Sequence, residues 1–305
     1  MAILEFLQGI RFPLLDSIML AITNLGDETA FLVAALIMFW CVDKRKGYYI
    51  LTVGFLGTIL NQFMKLLFRI PRPWVKNPDF QVVEGAKEGA GGYSFPSGHS
   101  QSSVGTFGGI AAVTKNKIIK GFCIAVCILV PFSRMYLGVH TPQDVLVGSA
   151  MAVAMIFLMR PLILGADGKR IPVVLGVMAL ISVAYLCYVE FFPFPTDMDP
   201  HNIASGTKNA YTLMGALLGF IVVYFVDEKW LHFPVSALWW VQIIKFAVGL
   251  LLVLAVKEGL RVPLDLLPGE YTGRCVRYFL MVVVAGILWP MSFRRFSMIG
   301  QKEQA

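Results

Sequence analysis

Three short stretches of this 305-residue chain concentrate side chains that do chemistry. The first is Lys65-Leu66-Leu67-Phe68-Arg69-Ile70-Pro71-Arg72-Pro73, the second Tyr93-Ser94-Phe95-Pro96-Ser97-Gly98-His99-Ser100, and the third runs from Ser133-Arg134 to His140-Thr141-Pro142-Gln143-Asp144. Lys65, Arg72 and Arg134 are cations with no acidic run beside them. Their natural partner is an anion of charge about two, and the guanidinium fork suits phosphate because it donates bidentate hydrogen bonds. Ser97 and Gly98 follow Pro96 where a helix is expected to begin, so backbone N–H groups and a helix dipole face such an anion, and Gly98 lets it come close. His99, in the first turn, is placed to give the same anion a proton. His140 precedes a second expected helix start, with Thr141 as cap, Pro142 in the first turn and Asp144 inside it. A carboxylate four residues on can bond one ring nitrogen of His140 and leave the other free to attack.

The elements that position these groups are apolar. Hydrophobic residues make up 57% of the chain and charged residues 15%, with a mean hydropathy of +0.70, against about 45–50% and 25% in soluble domains. That balance excludes a disordered chain and a nucleic-acid-binding protein, and it argues against a soluble two-domain enzyme. A membrane-spanning helix needs about 20 apolar residues. Such runs lie near 26–42, 47–68, 98–114, 118–137, 143–160, 171–192, 209–226, 235–256 and 274–292, which predicts an all-α polytopic membrane bundle of nine spans. Residues 1–25 lack a basic leader region, and Glu5, Arg11 and Asp16 punctuate their apolar pattern. They read as an amphipathic helix at the membrane interface rather than a cleaved signal peptide. The five cysteines, an odd count lying mostly within apolar runs, do not read as a disulfide framework.

The net charge of +7 is dispersed, and its first meaning in a membrane protein is orientation. One face carries Lys44, Arg45, Lys46, Lys115, Lys117, Lys120, Arg160, Lys169, Arg170, Lys229, Arg294, Arg295 and Lys302, in mostly short loops, and is expected to be cytoplasmic. The three polar stretches then meet on the extracytoplasmic face, of the plasma membrane if the source is bacterial. Trp40, Trp230, Trp239, Trp240 and Trp289 fall near the cytoplasmic ends of their spans, as an aromatic belt does.

Together, Lys65-x6-Arg72-Pro73, Pro96-Ser97-Gly98-His99 and Ser133-Arg134-x5-His140-x3-Asp144 resemble the three-part signature of the type 2 phosphatidic acid phosphatases, whose superfamily includes the vanadium haloperoxidases. The parts stand in order, at full spacing, with no substitution at the signature positions. The resemblance covers about residues 30–160. It implies a six-span phosphatase core over 26–192, preceded by the interfacial helix at 1–25 and followed by a three-span extension over 193–305 in which no motif is recognised. It implies a membrane enzyme acting on a lipid phosphate or diphosphate of the phosphatidate, phosphatidylglycerol phosphate, polyprenyl diphosphate or sphingoid phosphate type. Lys65, Arg72 and Arg134, with Ser97 and Gly98, would hold the phosphate; His140 would attack phosphorus, oriented by Asp144; His99 would protonate the leaving oxygen. Family members need no metal or other cofactor, and the four histidines show no zinc-type spacing. The implied partners are the lipid substrate and surrounding membrane lipids, not nucleic acid.

Other readings share these residues. A phosphotransferase would pass the phosphoryl group to a different acceptor. A soluble sugar phosphate is a further substrate class, since glucose-6-phosphatase and the sphingosine-1-phosphate phosphatases also carry spans beyond a six-span core. A transporter or non-catalytic lipid-binding protein is kept open by spans seven to nine, where Lys245 interrupts the eighth. Lys245 is either functional or reaches the cytoplasmic interface by its long stem, the second being favoured. Arg69 either joins the phosphate site or lies at the interface, and His201 and His232 read as interfacial. The Gly-rich segment 84–92 is a candidate lid.

Overall fold

The computed structural model describes residues 1–165, 168–196 and 198–299; Lys302 lies outside them. Among the described residues all regular structure is helical. In chain order the helices are α1 (Ala2–Gly9), α2 (Pro13–Thr23), α3 (Glu28–Ile37), α4 (Lys44–Phe68), α5 (Pro73–Lys76), α6 (Gly98–Ser103), α7 (Gly109–Val113), α8 (Lys117–Tyr136), α9 (Pro142–Leu164), α10 (Ile171–Phe191), α11 (Pro200–Val226), α12 (Trp239–Gly259), α13 (Arg261–Leu264), α14 (Thr272–Val283) and α15 (Phe293–Met298). A π turn over Val104–Gly108 joins α6 to α7, and others extend α3, α11 and α14.

Among the described residues, seven segments are long and apolar enough to cross a membrane. They account for the expected second span and for the fourth to the ninth. The first is built differently. Here α2 and α3 pass the same test only together, and their axes differ by 53°. The third, over 98–113, is shorter than the roughly 20 residues a span needs. It starts inside the protein, and Ser100, Gln101 and Ser103 in its first turns are buried. Outward apolar side chains such as Ile118, Phe122 and Ile128 on α8, or Leu146 and Phe157 on α9, are exposed as lipid-facing residues are.

The N-terminal segment is two helices rather than one. Pro13 cannot donate to the preceding turn, so it ends α1 and opens α2 at its first turn. Between them Arg11 turns inward, its Nε donating to Tyr136 O at 3.0 Å and its Nη1 to Gln81 O at 2.6 Å. Tyr136 in turn donates its hydroxyl hydrogen to Asp16 Oδ1 at 2.7 Å.

The chain forms two compact units. One comprises Met1–Ala34, Tyr49–Gly165 and Pro193–Gly206, the other Ala35–Tyr48, Ala166–Phe192 and Thr207–Ala305. All eight residues singled out by the sequence pattern belong to the first. In the second, two expectations are corrected. Trp40 is no belt residue: it is fully buried and donates Nε1–H to Ala285 O at 3.0 Å. Nor does the Lys245 amine reach water. It is 1% exposed, donates from Nζ to Val235 O at 2.9 Å and sits 4.5 Å above the Phe293 ring. The non-helical stretch before α12 leaves the Val235 carbonyl free to accept, which removes the drive to reach water.

In the first unit, α9 locks the start of α6. The main-chain carbonyl of Asp144 accepts from Ser97 N at 2.9 Å, and one turn further on Gly148 lies directly against the Ser97 backbone, where a Cβ would collide with the Ser97 carbonyl. Gly148→Ala is therefore expected to destabilise the protein by about 1–3 kcal/mol, the usual cost of overpacking. The measurement is the midpoint of thermal unfolding in detergent, and an unchanged midpoint would show that α9 shifts freely.

Candidate active site

Local sequence chemistry shapes each part of the site. Ser97 caps α6: its Oγ accepts from Ser100 N at 3.4 Å and from the Ser100 hydroxyl at 2.9 Å. Thr141 and Asp144 form a reciprocal capping box at the start of α9, with Pro142 in its first turn. Asp144 Oδ2 accepts from Thr141 N at 2.7 Å and from the Ser94 hydroxyl at 2.6 Å. Ser94, Ser97, Arg134, His140 and Asp144 are all essentially without solvent contact.

The three cations are buried as well, and main-chain carbonyls hold two of them. Lys65 Nζ donates to Tyr93 O at 2.6 Å. Arg72 donates from Nε to Gly92 O at 3.0 Å, from Nη2 to Gly91 O at 2.7 Å and from Nη1 to Val139 O at 3.0 Å. Arg134 donates from Nη1 to Thr23 Oγ1 at 2.8 Å, while its Nε and Nη2 have no partner. Buried N–H groups of that kind suit an oxyanion.

Arg72 Nη1 also lies 2.9 Å from His140 Nε2. An arginine only donates, so Nε2 accepts and the ring proton sits on Nδ1. Nδ1 is 3.6 Å from Asp144 Oδ2, beyond hydrogen-bond length. The expected bond from Asp144 is thus present as proximity alone, because that oxygen is engaged by Thr141 and Ser94. Burial, then the charges of Arg72, Arg134 and Lys65, holds the His140 pKa well below the ordinary 6.5. The imidazole is neutral, with its lone pair on Nε2.

His99 is held by a residue that sequence reasoning missed. Its Nε2 donates to Asp27 Oδ1 at 2.6 Å, and Asp27 stands at the bend between α2 and α3. Thr23 and Ser94, partners of Arg134 and Asp144, were missed too. No local spacing links Asp27 to His99 or Thr23 to Arg134. The one available signal was that a carboxylate at the start of the first expected span shares a membrane face with the three polar stretches. Arg69 donates from Nε to Leu66 O at 3.0 Å and lies 5.9 Å from the Phe194 ring.

A cavity of about 700 Å³ opens over Arg72, lined by Arg69, Trp74, Lys87, Tyr93 and His201 among others. The Gly-rich segment forms a wall of this cavity. Ala86 and Ala90 are buried against Tyr136, Leu137 and Val139, and the Gly91 and Gly92 carbonyls hold Arg72. Among the described residues no three His, Cys, Asp or Glu side chains gather as metal ligands. A neutral nucleophilic imidazole, a second imidazole braced by a carboxylate and a set of buried cations are together the equipment for displacement at an oxyanion centre.

Comparison with known proteins points the same way. Residues 45–166 match the PAP2 superfamily, and residues 211–302 match the transmembrane extension of PAP2 superfamily phosphatases. Phosphatidylglycerophosphatase B of Bacillus subtilis is 31% identical over 169 residues, which cover 50% of this chain and 76% of that protein. Undecaprenyl-diphosphatase BcrC of the same organism is 30% identical over 146 residues, 47% of this chain and 72% of that one. Sphingosine-1-phosphate phosphatase 2 of Mus musculus is 25% identical over 255 residues, 77% and 69% of the two chains. No solved structure gives a significant match.

Two measurements test this geometry. Arg134→Gln should weaken binding of inorganic phosphate by roughly 10–100-fold, the worth of one or two hydrogen bonds to a charged group; calorimetry in detergent reads it, and unaltered affinity would remove Arg134 from the site. In ligand-free protein His140 should remain neutral at pH 6.5, where an ordinary histidine is half protonated. Nitrogen-15 histidine spectra, assigned with His140→Gln, report the charge directly.

Proposed function

Because the chain belongs to the PAP2 superfamily, we propose that this membrane phosphatase removes the terminal phosphate of a lipid phosphate or lipid diphosphate through a phosphohistidine formed on His140. The observation that carries the reading is the neutral His140, its Nε2 lone pair turned toward Arg72 within a group of buried cations. The names of the relatives, phosphatidylglycerophosphatase, undecaprenyl-diphosphatase and sphingosine-1-phosphate phosphatase, support a lipid substrate.

Lys65, Arg72 and Arg134, with Ser97 and the Gly98 backbone, hold the non-bridging oxygens of the phosphate. On binding, the Arg72 guanidinium exchanges His140 Nε2 for a phosphate oxygen, which frees the lone pair. Nε2 then bonds to phosphorus as the bond from phosphorus to the lipid oxygen breaks. Burial holds the His99 pKa below the ordinary value, and Asp27 together with the arriving phosphate dianion offsets this, so that His99 keeps its Nε2–H on Asp27 and gives an Nδ1 proton to that leaving oxygen. The charge that develops on the His140 ring faces Asp144, 3.6 Å from Nδ1. A water next attacks phosphorus, the phosphorus–nitrogen bond breaks, His99 takes the water proton, and phosphate leaves. No metal ion takes part. The distribution of Lys and Arg in the connections supports a site on the extracytoplasmic side, and a site at the boundary between water and acyl chains suits a substrate with a charged head and an apolar tail.

The test is release of phosphate by purified protein in detergent, with chelator present, from phosphatidate, phosphatidylglycerol phosphate, a polyprenyl diphosphate and a sphingoid phosphate. At least one should turn over. His140→Ala should lower the rate by about four orders of magnitude or more, and Asp27→Asn by about 10²-fold, the lower range for general acid–base catalysis. Undiminished turnover in His140→Ala would sink the nucleophile, and loss of activity on chelation would sink the metal-free route.

A further inference from the structure

The second unit carries a basic cluster that the proposed chemistry does not use. Lys208 on α11 lies within electrostatic range of Arg274 and Arg277 on α14 and of Arg261 on α13. The packing shows how they meet. Gly215 on α11 brings that helix against the backbone of α14 at Cys275, where any side chain would collide with the Cys275 carbonyl. Thr212, one turn after Lys208, ties the two helices together: its hydroxyl donates to Lys208 O at 2.7 Å and accepts from Arg274 Nε at 2.6 Å. The Arg274 and Arg277 guanidinium carbons stand 5.4 and 5.8 Å from the centre of the same Tyr278 ring.

No carboxylate pairs directly with these charges: among the described residues none lies within 4.0 Å of Lys208, Arg261, Arg274 or Arg277. Of the acids on neighbouring segments, Glu190 accepts from the Tyr211 hydroxyl and Glu270 from the Tyr271 hydroxyl, while Asp265, whose backbone packs against Gly273, forms no ion pair with the cluster. Arg277 is 6% exposed, and its Nε has no hydrogen-bond partner. An ionised side chain with an unmet N–H group in a membrane protein is costly unless something pairs with it. A fork of guanidinium groups with a lysine beside it fits a tetrahedral oxyanion.

We propose that Lys208, Arg274 and Arg277, assisted by Arg261, form a second anion site, in the transmembrane extension, that takes a phosphate group. That phosphate is either the headgroup of an anionic membrane lipid or free phosphate. The site is separate from the His140 cluster in sequence and in residues, so its occupancy does not depend on the proposed hydrolysis.

The experiment uses the purified full-length protein in detergent, wild type and Lys208→Gln/Arg274→Gln. Both positions reach the surface, and an unchanged thermal midpoint and elution volume certify the fold of the variant. Each protein is titrated by calorimetry and native mass spectrometry with inorganic phosphate, with short-chain phosphatidylglycerol, and with phosphatidylcholine as the zwitterionic control. The wild type should hold one more phosphate group than the variant, and the variant's affinity for that group should fall roughly tenfold or more. Loss confined to phosphatidylglycerol identifies a lipid headgroup, and loss confined to inorganic phosphate identifies the free ion; either supports the site. Equal retention of both by the two proteins, or an equal fall for phosphatidylcholine, overturns it.

Discussion

Burying three like charges in one pocket is the constraint around which the first unit is built. Lys65, Arg72 and Arg134 are each less than a tenth exposed, and taking an ion out of water costs several kcal/mol even after the protein relaxes. Asp144, beside Lys65 and Arg72, and Asp27, beside Arg134, are the carboxylates at hand, and two anions do not offset three cations. Main-chain carbonyls make up part of the difference. Tyr93, Gly91, Gly92 and Val139 each direct an oxygen at Lys65 or Arg72. A carbonyl spent on a cation is not available to a helix, which fits the irregular path of Gly91, Gly92 and Tyr93 ahead of α6.

The same constraint leaves something unmet. Arg134 keeps two nitrogens without partners, and Arg72 rests on the lone pair of His140. An arriving oxyanion relieves both at once: it balances the surplus charge and draws the Arg72 guanidinium off the imidazole. In the proposed reaction, binding and the uncovering of His140 Nε2 are then one event. An anion that cannot pair with the cations leaves His140 covered.

Asp144 joins three separate stretches of chain. Its side chain caps α9 through Thr141 and takes the Ser94 hydroxyl, and its carbonyl takes Ser97 N. Asp27 does the corresponding work for His99 from a bend that neither α2 nor α3 defines alone. The first carboxylate was legible because it acts on its own neighbourhood. The second was not, because it acts across the fold.

That division runs through the whole molecule. Residue types and short-range spacing determined the helical membrane class, the caps at Ser97 and Thr141 and the eight residues of the signature, since these depend on hydropathy over a turn or a span and on chemistry within a few positions. Tertiary structure alone decided the partners. It set Asp27 on His99, Thr23 on Arg134 and carbonyls on Arg72, buried the start of the third helix, and gave Lys245 a carbonyl and a ring in place of water. A buried polar group takes whichever partner the packing brings within about 3 Å, and nothing within one stretch of sequence specifies which distant stretch will arrive there.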